Sequence, residues 1–289
     1  MDCVFLGRST LDLLYQAPLF PAENTKITAA CFLPQAGGPA LNAAIAFASL
    51  GGTAHLVSAI GRGSWSNLLR AECERYGVLV TDIFDGDDFT PPISSIVINA
   101  ASGSRTVFNA PGTIAAHGVQ LPPVSQLRGR LLLIDGFYLF HAGSLVHGFK
   151  AKGGMVCLDG GSWKPELEEL IPLVSIAICS EHFRPPGTCG EEQVLEYLAG
   201  RGVPLAAITR GQAEIIANER GRRFPIAIDA VRAVDTLAAG DILHGAFCWY
   251  FLRNGNFEAA LRAAAKVATL SVQFLGAREW MHHLRPEFR

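Results

Sequence analysis

Short apolar blocks recur along the chain and tend to end in small or acidic residues. Residues 3–7 (CVFLG) are the first such block. Closing on Gly7, they predict a buried strand whose C-terminal end opens into a site. Residues 10–35 mix alternating stretches with Pro18 and Pro21, which predicts exposed strands or loops rather than helix. Gly37-Gly38-Pro39 leads into a run of small residues over about 40–50, stopped by Gly51-Gly52. This predicts a helix entered at a proline and left at a glycine. Strands are expected over 55–60 and 78–84, around a helix over 65–76 that ends at Gly77. Residues 93–98 and 104–108 read as short strands flanking 99–103, a segment with hairpin-turn chemistry.

Beyond Pro122-Pro123 the rhythm becomes strand then helix. Strands are expected at 131–135, 155–159, 175–180 and 204–209, with helices near 141–150, 164–170 and 191–199. Two helices close the chain, near 239–253 and 257–274. Such alternation predicts βαβ units and a mostly parallel sheet. The segments 10–35 and 91–110 are the material for a smaller, separate sheet. No long linker, internal repeat or charge block divides the chain, whose length suits one large α/β domain or two small ones.

Composition narrows the function. The 289 residues carry 24 Lys+Arg against 26 Asp+Glu, a formal charge of −2. That balance argues against a nucleic-acid partner bound by phosphate neutralisation, while leaving room for a local basic pocket. With 49 % apolar residues, whole-chain disorder is excluded. No apolar run approaches the ~18–20 residues of a membrane span, and the first residues lack the basic-then-apolar signal pattern, so no membrane partner is expected. Seven scattered cysteines with no CxxC pair point to reduced thiols and a cytoplasmic location. His282-His283 read as surface residues rather than metal ligands.

Ligands of parallel sheets bind beyond the C-terminal strand ends. The residues there are Gly7, Asp135-Gly136, Asp159-Gly160-Gly161, Ser180 and Thr209-Arg210-Gly211, residue types that turns also require. No G-x-G-x-x-G follows the first strand, which removes a nicotinamide-binding Rossmann domain. The sharpest segment is VDTLAAGDILHGAF, residues 234–247. Small residues there run straight into an apolar helix, so several backbone N–H groups and the positive end of the helix dipole are free. That is an anion hole suited to a phosphoryl group in transfer. Asp241 lies in the first turn, where a carboxylate can reach a substrate hydroxyl, although the dipole alone also favours an Asp there.

VDTLAAGDILHGAF resembles the second signature of the pfkB (ribokinase-like) carbohydrate kinase family, D-T-x-G-A-G-D. AGGPALNAAIAFASLGG resembles the first, G-G-x-x-x-N-x-A-x-x-x-x-x-L-G, and the order and wide separation also match. The likeness extends over nearly the whole chain, through Gly7 and Asp12 (G-x-x-x-x-D), a D-G strand end, and Thr209-x-Gly211. The resemblance implies an α/β fold, a three-layer αβα core with a mostly parallel sheet, and a small β-sheet lid built from about 10–35 and 91–110. It implies ATP-dependent phosphorylation of a hydroxyl on a sugar or related small molecule, with Mg²⁺, and leaves a monovalent cation open. Asp241 would be the general base, and the backbone of Ala238, Ala239, Gly240 and Asp241 the anion hole. Asp12, Gly38 and Asn42 would hold substrate hydroxyls, with Arg105 touching substrate or phosphate. Thr209, Gly211 and Ser180 would lie at the nucleotide. The lid residues Ile96, Ile98, Val107 and Phe108 would either build a homodimer or cap the site.

The chain departs from the family pattern at three places. Ala238 stands where the first Gly of G-A-G-D is usual; if that position needs a positive φ, Ala strains it by about 1 kcal/mol or more. Ser180-Glu181-His182-Phe183 stands where N-x-x-E is usual, which leaves the metal ligands unassigned. Gly61-Arg62-Gly63-Ser64-Trp65-Ser66 lacks the Asp and second Gly of G-x-D-x-x-G. These departures support a second reading, a kinase-fold protein that binds a sugar or nucleotide as a sensor or scaffold and transfers phosphate poorly.

Overall fold

A computed structural model describes residues 1–84, 89–112, 119 and 121–288 of the chain. Its larger sheet is centred on β1 (Asp2–Leu6), which pairs in parallel with β4 (Thr53–Ser58) on one side and β8 (Leu131–Ile134) on the other. From β4 the sheet continues to β5 (Leu79–Asp82). From β8 it continues through β9 (Met155–Gly160) and β10 (Ile176–Ser180) to β11 (Leu205–Arg210), all parallel. β1 and β8 are buried on both faces, which explains their unbroken apolar runs.

Alternate residues of β1 serve two cores. Cys3 and Phe5 pack into one with α1 (Pro39–Ser49), α2 (Ser64–Arg75), α6 (Ala239–Asn254) and α7 (Phe257–Ser271). Val4 and Leu6 pack into the other with α3 (Leu139–Ala151), α4 (Leu167–Leu170) and α5 (Glu191–Gly200). The expected helix near 164–170 is thus a single turn, since it is the brief return from β9 to β10.

The parallel rhythm does not end the sheet at β11. β12 (Ala213–Glu219) and β13 (Arg222–Ile226) add an antiparallel hairpin, making nine strands. Its turn places Arg220 and Gly221 at φ 51° and 93°, a left-handed pair that matches strand twist. The sequence reading stops short of this hairpin because Arg-Gly is a poorer turn signal than Asn-Gly.

The smaller sheet has the order β3-β2-β6-β7, from β3 (Cys31–Gly37), β2 (Thr10–Ala17), β6 (Ile93–Asn99) and β7 (Arg105–Ala110). Its two outer pairs are antiparallel, but the central β2–β6 pair is parallel. The expectation of exposed strands in 10–35 holds poorly for β2, which is mostly buried, because it is a central strand with its inner face on the body. Ile96 and Ile98 are 1 % and 0 % exposed and pack with Leu14 against Leu33, Leu237 and Leu275. Val107 and Phe108 are exposed, as is Phe32.

Candidate active site

Three helix starts and strand ends converge at the C-terminal edge of the large sheet. α1 begins at Gly38, with φ 96°, and a Cβ there would sit 2.3 Å from the Arg8 carbonyl. Only glycine admits both that backbone and that approach. The adjoining Ala40 N–H donates to Asp135 Oδ2 at 3.1 Å. Arg8 N–H and Phe137 N–H also donate to the Asp135 carboxylate, at 2.8 and 3.0 Å. A Cβ on Gly7 would lie 2.0 Å from the Asp135 carboxyl carbon, so the strand-end glycine makes room for this knot. Burial pushes the Asp135 carboxyl up to about 7 despite the three N–H donors.

α6 starts without a side-chain cap. The Ala239 N–H reaches the Thr236 carbonyl and the Ile242 N–H that of Ala238. Among the described residues, this leaves the N–H groups of Gly240 and Asp241 free at the positive end of a helix of 16 residues. Ala238 takes the left-handed conformation, φ 59°. Here the departure from glycine therefore strains the loop, and Ala238→Gly is expected to raise the unfolding free energy by up to about 1 kcal/mol, part of the relief being offset by glycine's freedom in the unfolded chain. Urea denaturation reads this directly; an unchanged or lower midpoint would contradict it.

Asp241 is half-buried and accepts a 2.8 Å hydrogen bond from Asn42 Nδ2. Burial, then the nearby Asp159 carboxylate, push its carboxyl up to about 7, while Asn42 and His244 act the other way. The His244 ring nitrogens face the carbonyls of Gly240 (2.7 Å) and Ile178 (3.0 Å), with Asp159 Oδ2 3.5 Å from Nδ1. The ring thus ties the first turn of α6 to β9 and β10. Asp12, on the inner face of the small sheet, accepts from Thr10 Oγ1 at 2.8 Å. Its carboxyl is raised by burial and lowered by Thr10, Ser94 and Arg278.

Sequence reasoning missed the residues that organise this corner. Arg278 donates to Asn42 Oδ1 (2.9 Å), to Glu72 Oε2 (3.0 Å) and to the Ala36 carbonyl (2.7 Å). Glu72 in turn accepts from Ala36 N–H at 3.0 Å. The chain Glu72–Arg278–Asn42–Asp241 therefore fixes the orientation of the Asn42 amide. Gln35 sits opposite Asp12 across β2–β3. Its Oε1 accepts from Ala277 N–H, but its Nε2 is buried without a partner, and a buried lone donor calls for an acceptor. Glu72, Arg278 and Gln35 carry no motif; only their meeting in space distinguishes them.

A cleft of about 500 Å³ lies on the other side of the α6 start. Thr209, Gly211, Arg105, Thr236, Ala239 and Gly240 line its polar end; Ile215, Ile228, Leu243, Ala265 and Ala268 are among its apolar walls. A Cβ on Gly211 or Gly240 would meet nothing within 4 Å, so both open onto free space. Arg105 donates to Thr236 Oγ1, which puts it on this cleft rather than beside Asp12. Ser180 does not line this cleft; its hydroxyl donates to the Gly161 carbonyl and accepts from His182 N–H. Phe183 is fully buried against Trp163, rings 5.6 Å apart, so no acidic side chain stands at that position. The loop after β4 is held instead by Asp82, which accepts from the N–H groups of Ile60 and Gly61 and from Arg70. Among the described residues no group of three or more His, Cys, Asp or Glu could cage a metal, and no helix is long and apolar enough to cross a membrane.

Comparison with known proteins gives the family and the fold. A family model for pfkB family carbohydrate kinases matches residues 2–283. The deoxyribokinase of Salmonella typhi is 24 % identical over 303 residues, covering 96 % of this chain and 94 % of that protein. Among solved structures, ribokinase from Giardia lamblia superposes with a TM-score of 0.80 at 16 % identity, covering 99 % and 97 % of the two chains. Arabidopsis thaliana ribokinase, complexed with ribose and ATP, gives 0.79 at 22 % identity and covers 95 % and 93 %.

Proposed function

Since the chain belongs to the pfkB family of carbohydrate kinases, we propose that it transfers the γ-phosphoryl group of ATP to a sugar hydroxyl at Asp241. The observation that carries this is the start of α6, where a carboxylate raised to about 7 adjoins two unbonded N–H groups at the edge of a cleft of about 500 Å³. The small sheet, from insertions at about 10–35 and 91–110 in a single 1–289 domain, acts as the lid.

On this reading Asp241 takes the hydroxyl proton as the new O–P bond forms. Asn42 holds the base through one amide atom while Arg278 fixes the other. Asp12 and Gln35 meet further hydroxyls; the free Gln35 donor fits a sugar oxygen. The Gly240 and Asp241 N–H groups stabilise charge on the transferring phosphoryl. The apolar walls of the cleft suit a nucleobase, and the bare Gly211 and Gly240 positions suit close approach by phosphates. Magnesium bound with the nucleotide would spread the phosphate charge; Mg²⁺ needs few protein ligands when phosphates and water supply the rest. A monovalent cation remains part of the proposal only as a test of activation by K⁺.

With Asp241 near 7, its basic form grows as pH rises through neutrality. kcat/KM is therefore expected to climb about tenfold per pH unit below 7 and to level above it. A profile flat between pH 5.5 and 8.5 would remove Asp241 as the base. An ATP-dependent turnover screen over pentoses, hexoses, their acids and phosphates, and nucleosides tests the activity itself. Binding without turnover on any of them would favour the sensor reading. The exposed Phe32, Val107 and Phe108 support a homodimer through the lid, which sedimentation would measure, and the unpaired cysteines support a cytoplasmic setting.

A further inference from the structure

Two cations share one aromatic ring at the ends of β1, β8 and β9. The Arg8 guanidinium lies 4.8 Å and the Lys164 ammonium 4.4 Å from the centre of the Phe137 ring. Arg8 follows β1, Phe137 follows β8 and Lys164 follows β9, so adjacent strand ends present them together. Glycine at 136, φ 78°, lets Lys164 reach across: a Cβ there would stand 3.1 Å from Nζ. Among the described residues neither cation forms an ion pair or a side-chain hydrogen bond. Of the nearby carboxylates, Asp135 is held by three N–H groups, and Asp159 lies beside His244 and within electrostatic reach of Lys164. Two like charges on one ring repel, and with neither of them in an ion pair a further anion would relieve that repulsion.

We infer that the substrate carries an anionic oxygen cluster, a phosphate or a carboxylate, which Arg8 and Lys164 grip beside Phe137. This rests on the kinase reading, with Asp241 receiving the hydroxyl end of the same molecule. The Asp135 knot binds the two ends together: it holds Arg8 and Phe137 on one side and Ala40, two residues before Asn42, on the other. Around the acidic group of Asp12, Asp135, Asp159 and Asp241, an anionic substrate needs such local cations to approach at all.

The experiment compares neutral, phosphorylated and carboxylated sugars: ribose with ribose 5-phosphate, fructose with fructose 6-phosphate, and glucose with gluconate. Both Mg-ATP-dependent turnover and calorimetric binding are read, in the native chain and in Arg8→Gln, Arg8→Lys and Lys164→Met. At least one anionic sugar is expected to exceed its neutral counterpart by about a hundredfold in kcat/KM. Arg8→Gln and Lys164→Met should each cut that preference tenfold or more, chiefly through KM, while Arg8→Lys retains most of it. The phosphate and carboxylate arms show which anion is meant. Turnover that prefers neutral sugars, or a preference unmoved by both charge-removing variants, overturns the anion site and leaves the kinase reading standing. Without any turnover, anionic-sugar binding lost in Arg8→Gln would keep the anion site and sink the kinase reading. No binding of any anionic sugar would overturn the anion site.

Discussion

Asp241→Asn is expected to lower kcat by about a thousandfold, in the middle of the range for loss of a general base. The amide oxygen still accepts from Asn42, so the sugar KM should move less than tenfold. A coupled assay of ADP release measures both. A fall below tenfold would shift the base to another carboxylate, Asp159 or Asp12. The same variant tests the physical cause of the raised carboxyl. Burial and Asp159 lift the folded value from 3.8 to about 7, so the unfolded chain gives up this proton first as pH rises. Stability contributed here falls between those pH values and stays low above them. Asp241→Asn should therefore raise the melting temperature at pH 8 and leave it nearly unchanged at pH 4. An active-site base that weakens the fold it sits in is the signature of that electrostatic strain.

Arg278→Leu is expected to destabilise the fold by about 3–5 kcal/mol, the range for breaking a buried ion pair by removing one partner. Arg278 and Glu72 are 12 % and 17 % exposed at the side chain. Their separation lets one guanidinium bond a carboxylate, an amide and a carbonyl at once, which lysine's point charge cannot copy. The double replacement Arg278→Leu with Glu72→Leu should recover a substantial part of the loss, because no charge is then left buried alone. Urea denaturation of the four-member cycle measures this. Equal losses in the single and double variants would mean that packing, and not charge, holds the corner. Turnover should fall as well, since the Asn42 amide would be free to rotate.

Much of this site is legible in the linear chain, for physical reasons that also mark the limit. Anion holes are local: residues 235–241 carry their own small side chains, helix start and carboxylate, so the segment announces itself. Asn42 is reached only through the resemblance to the first pfkB signature, which carries an Asn at that spacing from Gly38. Asp12 likewise comes from the resemblance, through the family's G-x-x-x-x-D pattern beginning at Gly7. Arg278 and Glu72 do not read at all, since each is an ordinary charged residue until α2 and the segment after α7 bring them within 3.0 Å. Gln35 is legible only as an unmatched donor, which requires knowing what is buried. The parallel βαβ body follows from its apolar runs, whereas the β12–β13 hairpin is obscured by a turn of Arg220 and Gly221. At Ser180 the register of the motif suggests a nucleotide contact, yet the hydroxyl is spent on Gly161 and His182.

The parallel pairing at the middle of the small sheet also bears on how the chain assembles. A sheet made of two hairpins side by side could form early from local contacts. Here the central ladder joins Leu11 to Ile93 and Ala17 to Asn99, with β4, α2 and β5 threaded between them in sequence. Closing so long a loop is entropically unfavourable until the intervening elements are docked. The central ladder of the small sheet is therefore expected to form only after the intervening elements have docked. Until that ladder forms, Leu14, Ile96 and Ile98 would remain exposed to water. Exposed apolar surface of that kind is what makes incompletely folded chains prone to aggregate.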